Sequence, residues 1–161
     1  MEQHFRNIVE QASNPICILK GKDLVLEVAN APVFKLWQVG KEALGKPLLE
    51  IMPELKGQQF IRWLLNVYQT GITHNGNEEP RHYIRENGEI ETRYFNFIYH
   101  PYREKDDTIS GVVVSAYDVT EKVNSRKSIE FNEQRYQSLI QSLPLAVYTC
   151  DKDGYIQLFN K

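Results

Sequence analysis

The residues of this chain best able to do chemistry are its four histidines and two cysteines. His82 lies between Arg81 and Tyr83 in a β-rich run. There it could face a pocket as a hydrogen-bond donor or a haem ligand, or sit on a strand's surface. His74, in a polar segment after an apolar helical stretch, is a weaker haem candidate. Cys17 belongs to the run Ile16-Cys17-Ile18-Leu19, where a small buried thiol is the default. Cys17 and Cys150 stand far apart and outside any Cys-x-x-Cys or other metal spacing. No disulfide framework and no metal site are expected, and a reducing compartment is the simpler setting. Glu78-Glu79, Glu89 and Glu91 are acidic, but no His or Cys beside them completes a catalytic set. No Gly-rich phosphate loop, Gly-x-Ser-x-Gly or His-Glu-x-x-His occurs. The sequence therefore supports no catalytic residue, and an enzyme using His82 in an α+β pocket is the weakest of three readings.

The bulk numbers narrow the classes further. The 161 residues are 42% apolar and 11% aromatic, enough to fill a core. The formal net charge is −2, from 19 basic and 21 acidic residues. No basic field exists to attract nucleic acid, and no polybasic run to dock on anionic lipid. No apolar stretch reaches the roughly 18 residues of a membrane span, and Met1-Glu2-Gln3-His4-Phe5-Arg6 does not read as a signal peptide. A cytoplasmic location without membrane contact is expected.

The elements that must position these side chains can be read from periodicity. Phe5, Ile8, Val9 and Ala12 space out an amphipathic helix that Ser13-Asn14-Pro15 ends. Residues 16–20 and 24–29 form a hairpin about Gly21-Lys22-Asp23. Asn30-Ala31-Pro32 caps a helix carrying Phe34, Leu36 and Trp37. Two prolines restrict residues 45–53 to short helical turns. Phe60, Ile61, Leu64, Leu65, Val67 and Tyr68 mark a longer helix over 58–70, stopped by Gly71. Residues 72–80 read as a loop. Strands follow at 81–85, 90–102 and 110–118, the first two joined by a tight Asn87-Gly88 turn. Segregated strands and helices indicate an α+β fold with an antiparallel sheet, and the first hairpin must share that sheet with the last three strands to bury its apolar face.

Residues 121–141 are charged and free of Gly and Pro. Ile129, Tyr136 and Leu143 recur every seven residues with Leu139 and Ile140 between them, a pattern that Glu133 interrupts. A helical linker that pairs in a homodimer is the expectation. The tail also repeats the head: Phe5-Arg6-Asn7-Ile8-Val9-Glu10 compares with Tyr136-Gln137-Ser138-Leu139-Ile140-Gln141, Gly21-Lys22-Asp23 with Asp151-Lys152-Asp153, and Asn30 with Asn160. The expected organisation is a flanking helix over 1–14, a domain over 15–120, a linker over 121–143 and, over 144–161, the start of a second domain in a longer tandem protein.

Asn30-Ala31, Gly45-Lys46-Pro47 and Gly111-Val112-Val113-Val114 running into Asp118-Val119-Thr120-Glu121 resemble the PAS family of sensor domains. The style resembles a tandem fragment of a bacterial sensor histidine kinase of a two-component system, whose catalytic part would lie downstream. The resemblance implies a five-stranded antiparallel sheet: two strands, short helices and one longer helix, then three strands, with helices flanking both ends. It implies a signalling role in which Asp118, Thr120 and Glu121 form the junction between last strand and output helix. It also implies a space between inner sheet face and helices. Candidate lining residues are Ile18, Phe34, Trp37, Leu64, Tyr68, His82, Phe95, Phe97, Tyr99, Val112, Val114 and Ala116. Ile16 and Ile18 share one strand face, Cys17 and Leu19 the other. Such a lining suits a small apolar or aromatic ligand, and equally a filled core. The cofactor, if any, stays unnamed. The family's flavin sensors carry an Asn-Cys-Arg-Phe run that is absent here, and its haem sensors hold their ligand within a helix where this chain has no His. The competing reading is a ligand-free dimerisation module.

Overall fold

The computed structural model describes residues 2–85 and 87–159. It divides into two units, Met1–Thr120 and Glu121–Lys161. The first contains helix α1 (Glu2–Gln11), strands β1 (Ile16–Lys20) and β2 (Val25–Ala29) and helix α2 (Ala31–Trp37). Short turns of helix follow: a 3-10 turn (Lys41–Ala43), α3 (Leu48–Ile51) and a second 3-10 turn (Pro53–Leu55). Then come α4 (Gln59–Thr70) and strands β3 (His74–Ile84), β4 (Ile90–Arg103) and β5 (Ile109–Asp118). The five strands form one antiparallel sheet in the order β2-β1-β5-β4-β3. The first hairpin therefore joins the last three strands through β1 and β5, as the burial argument requires. The α+β class, the strand count and the flanking helices are those expected.

Asn30 ties the start of this unit together. Its Oδ1 accepts from the N–H of Val33 (3.3 Å), capping α2, and from the N–H of Ile16 (3.1 Å), opening β1. Its Nδ2 donates to the carbonyls of Ala12 (3.1 Å) and Asn14 (2.6 Å), where the chain leaves α1. One side chain, 1% exposed, thus fixes three elements through four bonds. Asn160, its expected counterpart, lies outside the described residues.

Both sheet faces are covered near β1. Cys17, Leu19, Leu26, Leu48, Val67 and Val112 belong to the main core between sheet and helices. On the opposite face Ile18 and Val28 pack with Val9 of α1. Full burial of each such aliphatic side chain contributes about 1.5–3 kcal/mol. Ile18 was expected on the cavity side and is instead on the α1 side. Leu19, the next residue and so on the opposite strand face, lines the cavity.

Residues 74–80, expected as a loop, are the first half of β3. This is an edge strand with exposed polar residues, broken by a bulge between Gly76 and Glu79, with Glu78 at φ 54°. Polar edge strands give weak periodicity, so the sequence pattern hides them. Gly76 is required by its neighbour: a Cβ there would stand 2.2 Å from the Phe97 ring. Pro80 lies opposite Tyr94, whose own N–H and C=O turn to the other side, so the missing Pro N–H falls on the free edge.

The second unit holds the rest of helix α5 (Thr120–Ser142) and a two-stranded hairpin, β6 (Tyr148–Cys150) with β7 (Ile156–Phe159). Asp151 closes the hairpin turn, its Oδ1 accepting from the N–H groups of Asp153 (2.9 Å) and Tyr155 (3.0 Å). The bond from Tyr155 is the chief cause holding its carboxyl below the usual range. Tyr148, Tyr155, Ile156 and Phe159 remain exposed. Among the described residues no helix is long and apolar enough to cross a membrane.

Candidate functional site

Between the inner sheet face and the helices lies a cavity of about 50 Å³. That is well below the roughly 300–1,000 Å³ of pockets that bury drug-sized ligands. Of the expected lining residues, Trp37, Leu64, Phe95, Phe97, Tyr99, Val114 and Ala116 reach it. Phe34, Tyr68 and Val112 belong to the surrounding core but not to the cavity wall. Ile18 lies on the far sheet face. The floor is aromatic: Phe97 stacks on Tyr99 at 4.4 Å and leans on Phe60 at 5.5 Å. His74, in strand rather than loop, stacks on Trp63 at 4.6 Å. Burial pushes the Tyr99 phenol and the Cys17 thiol upward, so both stay neutral at physiological pH.

His82 does not line this cavity. Its ring is exposed, with Nδ1 3.1 Å from the hydroxyl of Thr92. The residue that does point inward is its neighbour Arg81. The cause is the turn. Arg85 N–H donates to the Glu89 carbonyl and Gly88 N–H to the Arg85 carbonyl, which sets Arg81 opposite Arg93 and His82 opposite Thr92. A two-residue Asn87-Gly88 loop would have set His82 opposite Arg93. One residue of slip exchanges the two faces of a strand. Phe95 faces in, so Arg93, two residues along, and its partner Arg81 share that side. The signal that could have found Arg81 was therefore the turn length.

Arg81's side chain is 8% exposed. Its Nη2 donates to Glu54 Oε1 at 2.7 Å and to the Met52 sulfur at 3.3 Å, and its guanidinium lies 4.4 Å from the Tyr83 ring centroid. Its Nε–H is buried without a hydrogen-bond partner among the described residues. Leu36, Trp37, Met52 and Arg81 line both the cavity and an outer groove that Glu54, Tyr83 and Arg93 border. They form the partition between interior and solvent. Of these, only Trp37 was expected from the sequence.

The strand-to-helix junction is equally specific. Val114 and Ala116 of β5 line the cavity, and two residues on, Asp118 pairs with Phe95. Val119 N–H then donates to the Tyr94 carbonyl (2.8 Å), and Tyr94 N–H donates to the Thr120 hydroxyl (2.9 Å). The hydroxyl stands where the ladder's next carbonyl would be. Asp118 Oδ1 accepts from Thr120 N–H (2.9 Å), turning the chain into α5. Glu121 occupies the first turn of α5, where its charge complements the helix dipole. No group of three or more His, Cys, Asp or Glu among the described residues is placed to hold a metal.

The family described as the PAS fold matches residues 9–124, and the chain belongs to it. Solved structures agree on the fold. The PAS domain of BvgS from Bordetella pertussis is 19% identical, with a TM-score of 0.60, over 83% of this chain and 97% of that one. A sensory box sensor histidine kinase from Vibrio cholerae is 22% identical, with a TM-score of 0.51, over 74% and 92%. VqmA bound to DPO is 16% identical, with a TM-score of 0.55, over 76% of this chain and 59% of that one. PAS domains of this kind are sensory, not catalytic.

Proposed function

We propose that this chain senses a change in its central cavity and relays it through Asp118-Val119-Thr120-Glu121 to helix α5. The observation that carries this reading is that cavity wall and junction lie on one strand. A displacement at Val114 or Ala116 reaches, within a few residues, the Tyr94–Thr120 bond that fixes where α5 begins. Rigid β5 has little room to absorb a shift, so the helix start must follow it. Helix α5 exposes Ile129 and Tyr136 at heptad spacing, and a second copy of the chain covers them, making a homodimer.

The working parent is a cytoplasmic bacterial sensor histidine kinase, supported by the likeness to the Vibrio cholerae kinase. Domain bounds of 15–120, a linker over 121–143 and the opening of a second PAS unit over 144–161 complete it. The hairpin β6–β7 favours that last point, because two strands with exposed aromatics are marginal alone and need a sheet to join. VqmA, similar in fold, has been solved bound to DPO, which supports a ligand here. The modest cavity favours a second reading, a dimerisation module without ligand.

Thr120→Val tests the relay. It keeps the shape and removes the hydroxyl. The expected result is faster amide exchange at Tyr94 and in the first turn of α5, with cavity methyl resonances unchanged. Unaltered exchange at Tyr94 would end the relay reading. Sedimentation of wild type and Ile129→Glu, dimer against monomer, tests the pairing.

A further inference from the structure

We infer that the cavity takes a small, uncharged molecule whose carbonyl oxygen or ring nitrogen accepts a hydrogen bond from Arg81 Nε–H. This rests on the reading of the cavity as a ligand site. Four observations carry it. The first is the donor itself: a guanidinium N–H inside a protein without a partner leaves desolvation uncompensated, and Arg81, which lines the cavity, holds such a donor, packed too closely for water to touch it while the Arg81–Glu54 pair is closed.

The second is charge. Glu54 already neutralises Arg81 at 2.7 Å. A bound anion would add an unmatched charge to a mostly apolar space, whereas a neutral acceptor adds none. The third is shape. Trp37, Phe60, Phe97 and Tyr99 supply aromatic walls, which suit a flat body. At about 10–15 Å³ for each water-sized sphere, 50 Å³ holds about three to five, so a ring of five or six non-hydrogen atoms fits only as the walls give way. The fourth is access. Arg81 and Met52 separate the cavity from the outer groove, and Glu54 reaches Arg81 from a 3-10 turn with 39% of its side chain exposed. Opening that pair admits a ligand without unfolding the sheet.

The test is NMR on the full chain labelled with ¹⁵N and methyl ¹³C, following the Arg81 Nε–Hε cross-peak, assigned by its loss in Arg81→Lys. Cyclopentanone and pyrazine are expected to shift that peak downfield saturably, together with the methyls of Leu64 and Val114. Methylenecyclopentane, the same shape without the acceptor, is expected to bind at least tenfold more weakly and leave the peak in place. Isobutyrate is expected not to bind the wild type, and to bind Glu54→Gln, where the guanidinium charge is unmatched. In Arg81→Met the preference for ketone over hydrocarbon disappears. Saturable isobutyrate binding to the wild type tighter than cyclopentanone would overturn the inference, as would an Nε–Hε peak that no acceptor moves. Cyclopentanone that binds as described without changing the Tyr94 and Val119 amides would strike the relay and leave this inference standing. A relay that responds to filling the cavity by mutation, with no acceptor binding, would do the reverse.

Discussion

Asn30→Asp separates what Asn30 does from what a generic helix cap would do. A carboxylate is as good an N-cap as an amide, so a simple cap predicts little change. The structure predicts damage. The introduced carboxylate keeps the two bonds from Ile16 and Val33 but cannot donate to the carbonyls of Ala12 and Asn14. Two lost bonds at about 1 kcal/mol each give a cost of roughly 2 kcal/mol before repulsion between carboxylate and carbonyls. Asn30→Ala loses all four bonds, roughly 4 kcal/mol on the same scale. In a domain of this size each kcal/mol lowers Tm by about 4 °C, so drops of about 8 and 16 °C are expected by calorimetry at pH 7. The pH dependence has a sign. Burial against two carbonyls raises the folded-state pKa of the new acid above its unfolded value. The protonated form then stabilises fully below the unfolded pKa, and that stability is lost as pH rises through the folded pKa. Asn30→Asp should therefore recover toward wild type on acidification. A variant within about 2 °C of wild type at pH 7, or one whose deficit grows in acid, would refute the four-bond account of Asn30.

Three further outcomes follow. Gly76→Ala should cost roughly 1–3 kcal/mol by overpacking, since its Cβ meets the Phe97 ring at 2.2 Å; denaturant melting checks it, and a neutral result contradicts the close approach. Glu104 is held below the usual carboxylate range by hydrogen bonds from Lys20 and Ser110, so its contribution is present above the unfolded pKa and lost as pH falls through the folded one. The Tm gap between wild type and Glu104→Gln should shrink from pH 6 to pH 3, and a constant gap would contradict the pairing. Cys150 is exposed and Cys17 fully buried, so a disulfide thiol reagent should label one cysteine per native chain and the second only on unfolding. Prompt labelling of both would deny the burial of β1.

The sequence pattern was most informative where one rule acted alone. Asn30-Ala31-Pro32 marked the start of α2, and Gly71, at φ 69°, the end of α4. Phe95, Phe97 and Tyr99 alternate along β4, and all three line the cavity. It was least informative where two surfaces or two registers competed. Cys17, Ile18 and Leu19 are all buried, because α1 covers one sheet face and the short helices the other, so alternation could not say which residue met the cavity. The polar first half of β3 follows from its edge position and bulge. The exchange of His82 for Arg81 came from one residue of turn length. Met52 and Glu54 were hidden differently: they come from a Pro-broken segment without periodicity, and only the tertiary fold brings them to Arg81.

The relay from cavity to helix is tested most directly by filling the cavity without a ligand. Ala116→Leu adds bulk to the cavity wall on β5, two residues before Asp118. Amide hydrogen exchange on this variant reads the junction residue by residue. The account predicts changed protection at Tyr94 and Val119 and through the first turn of α5, and no such change at the junction when Thr120→Val is already present. Altered exchange confined to the cavity walls, with Tyr94, Val119 and α5 as in the wild type, would contradict it.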